Sequence, residues 1–166
     1  MPESTSPTTP LWRWLLLAAA IIVLDQISKQ WVLESFFLYE RRAVTGFLNL
    51  THVYNPGAAF SFLADAGGWQ KWFFLALALG VSAWMTALLR QHAGERLMPT
   101  ALAMIIGGAL GNAIDRIRFD AVLDFIDVHV AGSHWPAFNV ADSSIFVGVA
   151  LMLWHQIRYS KPLDNP

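Results

Sequence analysis

The chain has 166 residues, of which 55% are hydrophobic and only 14% are charged, and its mean hydropathy is +0.44. Soluble domains carry roughly a quarter charged residues, so this composition indicates an integral membrane protein. The net charge of −1, without a long basic run, argues against nucleic acid as a partner, and the lack of cysteine excludes disulfides, thiol catalysis and thiolate metal sites.

The chain is predicted to begin with a disordered tail over residues 1–10, because this stretch is polar and rich in proline. Four apolar segments follow, each able to cross about 30 Å of hydrocarbon as a helix of about 20 residues. They cover approximately residues 11–33, 69–89, 97–117 and 138–157. A cleaved signal peptide is disfavoured for the first, because no basic run precedes it and no small-residue cleavage site follows. We expect one membrane domain over residues 11–158 and a short tail over residues 159–166.

The basic residues outside the spans are divided unequally between the two sides of this layout. The side that holds both termini has five, which are Arg13, Arg90, Arg96, Arg158 and Lys161. The opposite side has three, which are Arg41, Arg42 and Lys71. Because basic loops favour the cytoplasm, we expect both termini to be cytoplasmic.

Two regions on the outer side are predicted to be non-helical. Residues 37–63 alternate partly between apolar and polar side chains, as a strand does, and include an Asn-Pro-Gly turn that begins at Asn55. Periodicity does not decide between a strand and a short helix for residues 58–64. We expect residues 118–137 to form a small loop of apolar and acidic residues that leads into the fourth span.

Charged residues inside the spans are candidates for function, because a charge at mid-bilayer costs about 2.5–3.5 kcal/mol on insertion scales. Asp25 and Lys29 lie four residues apart in the first span, the favourable order for an ion pair within a helix, which can also be purely structural. In the third span, Gly107 and Gly111 form a G-x-x-x-G pattern that allows another helix to approach closely. A neighbouring face of the same span carries Gly108, Asn112, Asp115 and Arg116. The alternative for Asp115 is an ion pair with Arg116 at a helix interface.

Two aspartates on the outer side border apolar sequence. Asp142 and Asn139 begin the fourth span, where either can simply cap a helix, and Asp124 taken alone is typical of a solvated loop. Considered together, two carboxylates in one site share a proton, so that one is an acid and the other a base that activates water. No H-E-x-x-H or G-x-S-x-G pattern supports a metalloprotease or a serine hydrolase instead.

Five sequence blocks together resemble the signature blocks of the lipoprotein signal peptidases, the signal peptidase II family. They are "DQISK" (25–29), "NPGAAFSFL" (55–63), "GGALGNAIDR" (107–116), "VLDFID" (122–127) and "FNVADS" (138–143). Their order and spacing match over nearly the whole chain beyond the tail. Two small departures, Pro56 and Ala113, each follow an asparagine of the pattern and touch no implied catalytic position.

The resemblance implies a mainly α integral membrane fold, with four transmembrane helices and a small periplasmic β-sheet or cradle between helices 1 and 2. It implies a monomeric aspartic endopeptidase of the bacterial inner membrane, in contact with lipid and without a metal or organic cofactor. Its substrates would be diacylglyceryl-modified prolipoproteins, cleaved just before the lipid-modified cysteine at the periplasmic side.

The resemblance also implies a role for each matching residue. The catalytic pair would be Asp124 and Asp142. The residues that line the site and hold substrate backbone would be Asn55, Asn112, Arg116 and Asn139. The supporting polar residues would be Asp25, Lys29 and Asp115.

Two other classes of function remain open. A small transporter or channel would use Asp25, Asp115 and Arg116 as a charge pathway. A non-catalytic membrane protein would use Asp142 only as a helix cap, so that Asp142→Asn would leave its function intact.

Overall fold

The computed structural model describes residues 10–57 and 67–159, which contain four long helices. They are α1 (Leu11–Ser35), α2 (Gln70–His92), α3 (Leu97–Phe119) and α4 (Val140–Tyr159), and each is long and apolar enough to cross a membrane. The expected four-span architecture is therefore confirmed. The N-terminal tail and the question of strand or helix at residues 58–64 lie outside the described residues, as does the C-terminal tail beyond residue 159.

Helix α3 lies at the centre of the bundle and packs against the other three helices. Within the most apolar stretch of 18 residues in α3, 72% of the residues are buried, whereas the corresponding fraction is 17–22% for the other helices. The face that each outer helix turns away from α3 is therefore available to lipid, which explains why these helices are hydrophobic all round. The functional side chains of α3 consequently lie inside the protein.

Small residues let the helices approach α3 closely. A Cβ atom on Gly107 would lie 2.8 Å from the carbonyl oxygen of Ala18 in α1, and one on Gly111 would lie 2.8 Å from a carboxylate oxygen of Asp25. A Cβ atom on Gly108 would instead clash with the carbonyl oxygen of Ala141 in α4. The predicted glycine pattern thus allows close packing, and the additional glycine extends it to a second helix.

The non-helical regions form one antiparallel sheet in the order β1-β2-β3-β4. Strands β1 (Arg41–Ala43) and β2 (Leu48–Asn55) lie between α1 and α2, whereas β3 (Val122–Val130) and β4 (Ser133–His134) lie between α3 and α4. The expected sheet is therefore present. It includes strands from both connections and not only from the one between helices 1 and 2. The prediction of a loop over residues 118–137 was wrong, because "VLDFIDVHV" pairs with β2 along most of its length.

Candidate active site

The two aspartates singled out in the sequence lie in different elements and line the same cavity. Asp124 is the third residue of β3, and Asp142 lies in the first turn of α4. The cavity has a volume of about 860 Å³ and is also lined by Asn55, Asn112 and Arg116. The fold thus brings together residues that are up to 87 positions apart in the chain.

Two asparagine side chains connect the two acids. Nδ2 of Asn139 donates to Oδ1 of Asp124 at 2.8 Å and to Oδ1 of Asn112 at 3.2 Å, and Nδ2 of Asn112 donates to Oδ1 of Asp142 at 2.7 Å. The remaining oxygen of each acid has a longer hydrogen bond, 3.4 Å from Nδ2 of Asn55 to Asp124 and 3.3 Å from the amide of Asn139 to Asp142. Each carboxyl group therefore has one firmly held oxygen and one that is weakly held.

The start of α4 combines helix capping with the site. The amide of Asp142 donates to Oδ1 of Asn139 at 2.8 Å, and the amide of Asn139 donates to Oδ2 of Asp142 at 3.3 Å. This reciprocal arrangement resembles a capping box. Capping and membership of the site are therefore compatible for Asp142, since its other oxygen is bonded to Asn112.

A buried ion cluster lies behind the cavity. Nζ of Lys29 is 2.8 Å from Oδ2 of Asp25 and 2.8 Å from Oδ2 of Asp115, and it donates to Oδ1 of Asn112 at 3.0 Å. The predicted Asp25–Lys29 pair is therefore confirmed. The alternative ion pair between Asp115 and Arg116 was wrong, because the Asp115 carboxylate points towards α1 and pairs with Lys29.

The ion cluster also holds the backbone next to each acid of the site. Oδ2 of Asp115 accepts a hydrogen bond from the amide of Leu123 at 3.1 Å, and Oδ1 of Asp25 accepts one from the amide of Ala141 at 2.9 Å. Leu123 and Ala141 immediately precede the two aspartates of the site. A single cluster in α1 and α3 thus holds the backbone of β3 and of α4 at the residues directly before Asp124 and Asp142.

Gln26, for which no role was expected from the sequence, joins this cluster. Its Nε2 donates to Oδ1 of Asp115 at 2.9 Å and to the carbonyl of Gly111 at 3.2 Å. The available signal was an amide side chain in an apolar span, directly after Asp25 in the "DQISK" block. That Gln26 faces Asp115 of α3 could not be read from the sequence of α1 alone.

The guanidinium of Arg116 is buried beside the cavity. It donates to the carbonyl of Gly57 at 3.1 Å and to that of Asn112 at 3.3 Å, and it lies over the ring of Phe74 with a centroid distance of 5.1 Å. Its Nε atom has no hydrogen-bond partner among the described residues. Arg116 can therefore donate a further hydrogen bond to a group that enters the cavity.

Burial raises the pKa of Asp124 to about 8, and the negative charge of Asp142 acts in the same direction. The hydrogen bonds from Asn55 and Asn139 and the charge of Lys29 oppose this increase without cancelling it. Asp124 is therefore protonated at neutral pH.

Asp127 is also buried but has the opposite electrostatic environment. Burial alone would raise its pKa, but hydrogen bonds from Asn49 and His134 and the positive charge of Arg41 lower it below its ordinary value. Asp127 is therefore an ionised, paired carboxylate at neutral pH. It does not line the cavity that Asp124 and Asp142 share.

The cavity also extends along α4, where its lining is apolar. Ile145, Phe146 and Val149 belong to this part, and Phe146 is 76% exposed. Because α4 is one of the membrane-crossing helices, this exposed apolar surface faces lipid. The apolar part and the two acids therefore belong to one cavity.

The described residues contain no group of three or more His, Asp or Glu side chains that could hold a metal ion. The polar groups that converge on the cavity are carboxyl, amide and guanidinium groups. Such a set can position a carbonyl group, hold a water molecule and exchange protons.

The chain is similar to proteins of one family over most of its length. The family model of Signal peptidase (SPase) II matches residues 17–158. A lipoprotein signal peptidase of Azoarcus sp. (strain BH72) is 54% identical over 148 residues, which cover 89% of this chain and 84% of that protein. One of Cupriavidus necator is 52% identical over 156 residues, which cover 94% of this chain and 89% of that protein. A bacterial membrane enzyme structure obtained by the in meso method at 2.3 Å resolution is 28% identical with a TM-score of 0.81, covering 93% of this chain and 94% of that one.

Proposed function

This chain belongs to the signal peptidase II family, and we propose that it removes signal peptides from prolipoproteins by using Asp124 and Asp142 as an aspartic catalytic pair. The observation that carries the proposal is the position of these two acids in one cavity, bridged by Asn139 and Asn112. Two carboxyl groups in such a site can divide the roles of acid and base.

The proposed reaction uses one proton that the pair holds and one that it takes from water. Asp142, ionised, removes a proton from a water molecule whose oxygen attacks the scissile carbonyl carbon, while protonated Asp124 donates to the carbonyl oxygen. The tetrahedral intermediate then collapses, the C–N bond breaks, and the proton held by Asp142 passes to the leaving nitrogen. Asp124 recovers its proton from the same intermediate, so the pair ends as it began.

The polar residues of the cavity divide into two roles in this proposal. The amide groups of Asn112 and Asn139 are bonded to the acids, which supports a role in positioning the acids more than the substrate-binding role that the resemblance implied. Arg116 has a buried N–H available for a substrate carbonyl, and Asn55 lies at the same wall of the cavity. Asp25, Lys29 and Asp115 support both acids through the neighbouring backbone.

The apolar part of the cavity supports a lipid-modified substrate. A diacylglyceryl group on the cysteine after the scissile bond would remain in the bilayer beside Phe146 and Val149 and would hold the bond near the acids. We infer a multi-pass protein of the bacterial inner membrane that acts as a monomer, with the sheet on the periplasmic side and both termini in the cytoplasm. The prolipoprotein and membrane lipid are its partners.

The charged residues of the spans do not favour a transporter. Lys29 is paired with both Asp25 and Asp115, and all three side chains are almost completely buried. A conducting pathway would instead need charged groups that contact water along its length. The buried cluster is more suitable for supporting a fixed site.

The test is cleavage of a diacylglyceryl-modified prolipoprotein by the purified protein in detergent or liposomes, compared with the unmodified precursor. We expect cleavage of the modified form only, unchanged by a strong chelator. Asp124→Asn and Asp142→Asn should each abolish cleavage, because an asparagine amide can neither donate the proton that Asp124 supplies nor accept the one that Asp142 takes up, and the double variant should be no worse than either. Asp127→Asn should retain substantial activity. An active Asp124→Asn protein, or ion flux through liposomes without cleavage, would contradict the proposal.

A further inference from the structure

Asp127 is the centre of a polar cluster on the sheet, outside the site described above. Its Oδ2 accepts a hydrogen bond from Nδ2 of Asn49 at 2.9 Å and lies 3.0 Å from Nε of Arg41. Its Oδ1 lies 2.7 Å from Nδ1 of His134. An ionised carboxylate only accepts hydrogen bonds, so Nδ1 of His134 carries a proton and donates it. Both oxygens of this buried acid are therefore bonded.

The side chain of His134 is held from two directions. Nδ1 bonds to Asp127, and the ring stacks on that of His129, with a centroid distance of 5.0 Å and an interplanar angle of 28°. His129 and His134 are direct partners in the short pairing of β3 with β4. The Asp127–His134 hydrogen bond, which we term the clasp, thus closes the hairpin of β3 and β4 by a side-chain contact.

His134 immediately precedes a segment of the chain that forms a wall of the cavity. Residues 135–138 all line the cavity, whereas neither Asp127 nor His134 does. The backbone of this segment is attached to β3 at both ends, by the amide of Trp135 to the carbonyl of Val128 at 2.8 Å and by the amide of Phe138 to the carbonyl of Ile126 at 3.1 Å. His134 anchors the end of the segment that is farther from α4.

We propose that the clasp between Asp127 and His134 positions residues 135–138 as the wall against which the substrate binds, and thereby determines substrate affinity more than the chemical step. The proposal rests on the proposed function. The acids are held through other contacts, since Asp124 and Asp142 depend on the asparagines and on the ion cluster. Loosening the clasp therefore frees the Trp135 end of the wall, whereas the Phe138 end, next to Asn139, stays bonded to the amides of Phe125 and Ile126 and keeps the catalytic pair in place.

The variants that test the clasp are His134→Ala and His134→Asn. Alanine removes the donor, whereas Nδ2 of asparagine can occupy the place of the histidine Nδ1 and keep the hydrogen bond to Asp127. We expect His134→Ala to raise KM about tenfold with kcat within about twofold of wild type, which is the pattern of lost binding. His134→Asn should restore KM to within about threefold of wild type.

Val130→Thr provides a matched control. Val130 is exposed on the same hairpin and is not part of the cavity, so this β-branched replacement should leave both constants unchanged.

A second readout does not depend on catalysis. Hydrogen exchange followed by mass spectrometry should show faster exchange of the amides of Trp135 and Ala137 in His134→Ala than in wild type, with His134→Asn close to wild type and the four helices unchanged. Unchanged exchange in His134→Ala, or a loss in kcat at unchanged KM, would overturn the clasp. If the wild-type protein cleaves no prolipoprotein, the proposed function fails, and the exchange result still decides whether the clasp holds this segment.

Discussion

The residues Asp124 and Asp127 are both buried in β3, yet they have different chemical roles. They are three positions apart on a strand, and an odd spacing places two side chains on opposite faces. Asp124 thus enters the cavity with a raised pKa, whereas Asp127 meets Asn49, Arg41 and His134 and has a lowered pKa. This difference supports Asp124 as the proton donor and Asp127 as part of the sheet.

The raised pKa of Asp124 predicts how activity depends on pH. The proposed acid donates only when protonated, and its pKa is about 8, so cleavage should fall as the pH rises through about 8. The rate should be measured from pH 5 to 10 at saturating substrate, with protein stability checked at each pH. A rate that stays constant up to pH 10 would rule out Asp124 as the donor.

The same pKa predicts a pH dependence of stability. The folded-state pKa of about 8 lies above the ordinary value of 3.8, so folding favours the protonated form of Asp124. Its contribution is complete below about pH 4 and is lost as the pH rises through about 8. Thermal unfolding should show a smaller decrease in Tm over this range for Asp124→Asn than for wild type. Equal decreases in the two proteins would contradict the raised pKa.

Arg116 tests whether the site needs a guanidinium or only a positive charge. Two of its nitrogens are bonded to carbonyl groups and its Nε is available, an arrangement that a lysine ammonium cannot reproduce. Arg116→Lys should therefore lower kcat/KM by about tenfold or more, with normal expression and Tm. A fully active lysine variant would show that Arg116 contributes only its positive charge.

At the level of elements, the contact between α3 and α4 places Asp142 at the site. Gly108 lies against Ala141, which directly precedes Asp142, and a Cβ atom there would also lie 2.7 Å from Cγ1 of Ile145. The first turn of α4 can therefore reach Asn112 only because α3 has no side chain at this position. The lack of a side chain at Gly108 therefore allows both the close packing of α3 against α4 and the position of Asp142 in the site.

Gly108→Ala should consequently separate α4 from α3 and impair both stability and activity. Overpacking of this kind costs about 1–3 kcal/mol, so we expect a lower Tm and a large decrease in kcat. Gly80→Ala in α2 is the matched control, because a Cβ atom there would meet nothing within 4 Å, and it should leave both quantities unchanged. Equal effects of the two substitutions would show that the α3–α4 contact has no special role.

At the level of the whole molecule, the sheet and the two described termini lie at opposite ends of the bundle. Four membrane-crossing helices bring the start of α1 and the end of α4 to the same side, and β1–β2 and β3–β4 follow the other ends. The hydrogen bond from Nε1 of Trp14 to the carbonyl of Ala93 also connects the start of α1 to the turn between α2 and α3. The position of the sheet therefore decides on which side of the membrane the reaction takes place.

Because the chain has no cysteine, single introduced cysteines can test this orientation without background. Gly46 in the turn between β1 and β2 and Gly94 between α2 and α3 both have open surroundings, with nothing within 4 Å of an added Cβ atom. In intact spheroplasts, a membrane-impermeant maleimide should label Gly46→Cys and should label Gly94→Cys only after permeabilisation. The reverse pattern would place the sheet in the cytoplasm.

The membrane class, the four spans and the Asp25–Lys29 pair could be predicted from the sequence, because composition, segment length and helical spacing act locally along the chain. It did not reveal that residues 122–130 form a strand, since Asp124 and Asp127 are both buried and the alternation of apolar and polar side chains is lost. The sequence motif indicated Asp124, but the cavity that Asp124 shares with Asp142 and the pairing of Asp115 with Lys29 became apparent only in the fold. These contacts join residues far apart in sequence, and their geometry depends on which face of β3 and α3 each side chain occupies.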